Sequence, residues 1–62
     1  MNVKLELVGI DGNAFALMGA FRKAARRQGF EQDKIDKVIL ECQSSDFNYL
    51  LQTLMANTIS ED

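Results

Sequence analysis

Arg22, Lys23, Arg26 and Arg27 are the residues of this chain best spaced to do chemistry. Their chemistry is anion recognition: a guanidinium forks onto a carboxylate or phosphate, and an ammonium adds a point charge. Arg22 with Arg26, and Lys23 with Arg27, stand four apart, so on a helix each pair costs about 0.2–0.5 kcal/mol in like-charge repulsion. The dipole at a helix C-terminus offsets part of that cost at Arg26 and Arg27 only. Three readings of the cluster follow. It is a solvated face, or it docks an acidic protein surface, including Glu31, Asp33, Asp36 and Glu41 of a second subunit, or it binds nucleic acid.

The remaining reactive residue types point away from catalysis. The chain has no histidine, the side chain best placed for proton transfer near neutral pH. Ser-His and Cys-His nucleophiles are therefore excluded. The single cysteine, Cys42, falls on an apolar stripe and reads as a small core residue. One cysteine without histidine matches no zinc signature and closes no disulfide within the chain. Asp33 and Asp36 share a helix face, and acidic helix faces are ordinarily just solvated. The Gly9-Ile10-Asp11-Gly12-Asn13 segment is too short for a P-loop and lacks its Lys-Ser/Thr ending. It also lacks the further acidic positions of an EF-hand, so it reads as a turn and a helix cap. No catalytic residue, cofactor or metal is expected, and the chain reads as a non-enzyme.

The elements that position these residues are few. Val3-Lys4-Leu5-Glu6-Leu7 alternates apolar and charged residues, predicting a strand over about 3–8. Asn13 is a helix cap, and Ala14, Leu17, Met18, Phe21, Ala24 and Ala25 recur at helical spacing until Gly29, predicting a helix over about 14–28. Ile35, Val38, Ile39 and Cys42 define a second helix over about 32–42. Phe30 staples onto Ile35, and Glu31 is a weak cap. Phe47, Leu50, Leu51, Leu54 and Met55 define a third helix, about 46–56, capped by Asp46. The expected fold is mainly α: a short N-terminal strand followed by a compact three-helix bundle. It becomes α+β if Thr58-Ile59-Ser60 forms a second strand. The expected core is Leu17, Phe21, Ile35, Val38, Ile39, Phe47, Leu50, Leu51 and Leu54.

Several residues are misplaced for a monomer. The side of the first helix away from its core carries Phe15, Ala16, Gly19 and Ala20 before it turns basic, which signals burial on two sides. Gly19 costs about 1 kcal/mol against alanine in mid-helix, so a close backbone approach is expected there. Either the strand or a second subunit covers this face. Leu40 and Tyr49 also point away from the core stripes of their own helices. A domain of 62 residues buries only about 60% of the surface of its unfolded chain, an internal disulfide is excluded by the single cysteine, and the usual zinc signatures fail. A homodimer is expected, burying the strand edge or the Phe15–Gly19 face.

Nucleic-acid binding is tested by the spacing of Ala25, Gly29, Ile35 and Val38, which fits a helix-turn-helix. The recognition helix would then present Gln32, Asp33, Asp36 and Lys37. Between positions 31 and 46, Glu31, Asp33, Asp36, Glu41 and Asp46 outnumber Lys34 and Lys37, which opposes phosphate contact. The net charge of −2 is mildly acidic, no apolar run is long enough to span a membrane, and the N-terminus lacks a signal-peptide core. A soluble, cytoplasmic protein is expected.

From Gly29 onward, Gly-Phe followed by Ile35, Val38, Ile39, Leu50, Leu51 and Leu54 resembles the UBA-like three-helix arrangement. More of the chain is similar to a family of small uncharacterised bacterial and phage proteins. Gly12-Asn13-Ala14-Phe15, the basic helix ending at Gly29, and Ser45-Asp46-Phe47-Asn48-Tyr49-Leu50-Leu51 carry that resemblance. That pattern usually has tyrosine where Phe47 stands, and it implies architecture rather than activity. The leading functional reading is a non-enzymatic interaction or accessory module that self-associates and docks a protein. Phe15, Gly19, Arg22, Lys23, Arg26, Arg27, Leu40 and Tyr49 are its candidate contacts. The alternative is a nucleic-acid-associated regulator acting through the basic helix face.

Overall fold

The computed structural model describes residues 1–60. Its elements run β1 (Val3–Lys4), α1 (Ala14–Arg27), α2 (Gln32–Cys42), α3 (Phe47–Ala56) and β2 (Thr58–Ile59). This is the expected mainly α architecture with a short strand pair. β1 and β2 are parallel, with Val3 opposite Thr58 and Lys4 opposite Ile59. Parallel strands need a long crossover, and here all three helices supply it.

The strand is shorter than its alternation predicts, because its partner in the tail is only two residues long. Val3 and Leu5 donate their N–H groups to the carbonyls of Asn57 and Ile59, both at 3.0 Å. On the other edge the Gln28 side chain takes the place of a strand. Its Oε1 accepts from Lys4 N–H and its Nε2 donates to Lys4 C=O, each at 2.8 Å. Both edges of β1 are thus engaged within the chain. The apolar alternation survives: Val3 is buried, Leu5 and Leu7 are half-buried, and Lys4 and Glu6 face outward.

Local chemistry accounts for the helix ends. Asn13 Oδ1 accepts from Ala16 N–H at 2.7 Å, and Asp46 Oδ1 accepts from Tyr49 N–H at 3.0 Å. Glu31 makes no such cap, as its type predicts. α1 closes in a Schellman motif: Phe30 N–H bonds to Ala25 C=O and Gly29 N–H to Arg26 C=O, both at 3.1 Å. That motif requires the left-handed backbone found at Gly29, with φ +88°.

The core joins Val3 to Leu17, Met18, Phe21, Ala24 and Ala25 of α1, Ile35, Ile39 and Cys42 of α2, and Leu50 and Leu54 of α3. Val38 and Leu51 pack at its margin, half-buried. Phe47 is a correction: it is 42% exposed, because as the first residue of α3 it stands at the rim of the bundle. Met55, assigned to the same apolar face by spacing, is also exposed.

Candidate functional site

α1 buries one side completely, and so it presents the opposite side as a continuous outer face. Arg22, Lys23, Arg26 and Arg27 are all exposed, and no ion pair within 4.0 Å engages them among the described residues. The four follow Gly19 along the helix and line with it a shallow hollow of about 610 Å³. A Cβ built on Gly19 meets nothing within 4 Å. The close backbone approach expected at this glycine is therefore absent among the described residues, and the glycine opens a gap in the helix surface instead.

The strand covers only one flank of this face. Leu5, Glu6 and Ile10 border Ala20, Lys23, Ala24 and Arg27 around a smaller hollow of about 310 Å³. Ala16 and Ala20 are half-buried, whereas Phe15 is 82% exposed. At about 100° per residue, Phe15, Gly19, Arg22 and Arg26 fall within an arc of roughly 60°. One line along the helix thus carries an aromatic ring, a gap and two guanidinium groups. Phe15 also borders a groove of about 400 Å³ between the starts of α1 and α3, where Phe47 stands beside Met18, Cys42 and Leu50.

Leu40 on α2 is 70% exposed. By the same wheel it shares an arc of about 60° with Asp33 and Asp36, while Lys37 and Lys34 lie to one side. Lys34 pairs with Glu31 at 3.6 Å, and Asp36 accepts from Gln32 Nε2 at 2.8 Å. Tyr49 crosses from α3 to donate its hydroxyl to Glu41 Oε2 of α2. That bond, made to the neutral phenol, is the main cause that raises the tyrosine pKa above its ordinary value, with desolvation and the Glu41 charge adding to it. Tyr49 is thus occupied in tying α3 to α2, a role its spacing alone did not reveal.

The other reactive groups have structural settings. Cys42 is buried, and desolvation raises its thiol pKa, with the neighbouring Glu41 charge acting in the same direction. Among the described residues no three histidine, cysteine or acidic side chains converge as a metal site. No helix among them is long and apolar enough to cross a membrane. The structure also shows contacts that spacing missed: Phe47 joins the exposed set at the Phe15 groove, and Val8, Met55 and Ile59 stand exposed near the strand pair. The position of Phe47 directly after the Asp46 cap was the available signal, since a first-turn residue sits at the end of a bundle. Comparison with protein-family models, curated proteins and solved structures finds no match for this chain.

Proposed function

We propose that this protein is a small non-enzymatic interaction module that self-associates as a homodimer through the outer face of α1. The observation that carries the reading is the state of that face. Phe15 is 82% exposed beside a gap at Gly19, where none of the described residues comes within 4 Å of an added Cβ. Both edges of β1 are engaged within the chain, which favours the uncovered helix face over that strand as the interface. A ring exposed to that extent gains from burial, at about 25 cal/mol per Å² of apolar surface removed from water.

Molar mass by light scattering across a concentration series tests the reading, with Phe15→Glu as the control. The native protein should approach twice its 7.0 kDa chain mass, and the variant should remain monomeric while keeping its helical circular dichroism. A native protein that stays monomeric throughout the series would sink the reading.

A further inference from the structure

We infer that the outer face of α1 docks onto the Asp33–Asp36–Leu40 face of α2 in a second copy of this chain, an inference that rests on the dimer reading above. Pairing α1 with α1 offers no charge complement: side by side in parallel it sets the four cations against their duplicates, and antiparallel about Gly19 it sets Arg22, Lys23 and Arg26 against positions 12–16, which carry no carboxylate. The complementary charge lies elsewhere in the same chain. The protein holds seven basic and nine acidic residues; with these four cations set aside, three basic residues face nine acidic ones, a net of −6. A sequence pI of about 4.9 makes the whole molecule a poor polyanion binder, which favours carboxylates over phosphates as the partner.

Shape and register agree with charge. Leu40 is a protruding side chain and Gly19 an open gap, so one fits the other as knob and hole. Measured from Gly19, Arg22 and Lys23 lie three and four residues on, and Arg26 seven. Measured backwards from Leu40, Asp36 lies four residues away and Asp33 seven. At 1.5 Å per residue both lines span about 10.5 Å. With the two helices antiparallel and Leu40 seated at Gly19, Asp36 meets Arg22 and Asp33 meets Arg26, while Lys23 lies toward Lys37 at the edge of the contact. Asp33 has no side-chain partner among the described residues, and Asp36 is held only by the neutral Gln32 amide, so neither must give up an ion pair to dock. Made reciprocally about a two-fold axis, α1 on α2 and α2 on α1, the contact closes the assembly at two copies, whereas a one-sided contact would run on as a chain of copies, which the molar mass distinguishes.

Complementary charge reversal tests the pairing. Arg22→Glu with Arg26→Glu makes one variant, and Asp33→Lys with Asp36→Lys makes the other; all four sites are exposed, so both fold. Each variant alone should lose dimer affinity by on the order of 100-fold, and an equimolar mixture should recover the dimer. Gly19→Leu, which fills the gap on an exposed helix position, should also give a folded monomer. If the native protein is a dimer that none of these changes weakens, the module reading stands and this pairing is wrong. Folded variants that fail to rescue one another would likewise overturn it. A native monomer would overturn both readings. A labelled oligonucleotide that binds tightly, with steep salt dependence and loss in the arginine variant, would assign the face to nucleic acid instead.

Discussion

Gly19→Ala should make the monomer more stable, and the structure sets the size of the gain. Gly19 lies inside the 14-residue helix α1, away from either cap, and its φ is not positive. An added methyl meets nothing within 4 Å, so it causes no clash and gains no core packing. What remains is backbone propensity: alanine is favoured over glycine in a helix interior by about 1 kcal/mol. For a domain near this size that corresponds to a rise in Tm of roughly 4–8 °C. Urea unfolding followed by circular dichroism measures it, best in a Leu40→Glu background so that association does not contribute. The midpoint should move up with no change in the slope against denaturant. A loss of stability would refute the reasoning, since it would mean that part of this chain does approach the glycine. In the native background the same methyl narrows the gap that Leu40 of a second copy is inferred to fill. Monomer stability should then rise while dimer affinity falls, two opposite signs from one substitution.

Asp46→Ala removes the side chain that accepts from Tyr49 N–H and should cost about 1 kcal/mol in urea unfolding. Gln28→Ala leaves both peptide groups of Lys4 without their side-chain partner; because they are exposed, water replaces it, and the cost should stay within about 1 kcal/mol. Hydrogen exchange at the Lys4 amide should nevertheless quicken, and an unchanged rate would show that Gln28 does not hold the strand. Tyr49 should titrate above the ordinary tyrosine range by ultraviolet absorbance, and Glu41→Gln should bring it back down. The sign follows from the folded value being raised. The stabilisation from the Tyr49–Glu41 bond is fully present below the ordinary tyrosine pKa and is lost as pH rises through the folded value.

Most of the helical framework was legible because its signals are local. Asn13, Asp46 and Gly29 act through backbone groups only a few residues away, so type and spacing suffice to place them. The strand pair was less legible. A partner of two residues, Thr58–Ile59, has no room to show a period, and its pairing is set by where three helices deliver the tail. Phe47 shows a second limit. Apolar spacing identifies which side of a helix turns inward but not how far its first turn projects past its neighbours. Gly19 shows a third, because an interior glycine reads the same whether it admits a close neighbour or leaves a gap. The basic cluster and the outward Leu40 were readable as a surface, whereas their exposure in the folded chain emerges only from the packing of the three helices.

The pairing of Val3 with Thr58 carries a consequence for the order of events as the chain folds. Val3 is fully buried, yet its N–H bonds to Asn57, close to the other end of the described chain. A contact this distant in sequence bears the entropy of closing the 3–57 span as one loop, so it is favoured only after the helices have shortened that distance. The residues of β1 are therefore among the last to settle. Until the tail follows α3 into place, β1 has no hydrogen-bonded strand beside it. Removing the residues from Thr58 onward would thus be felt at Val3, across all three helices.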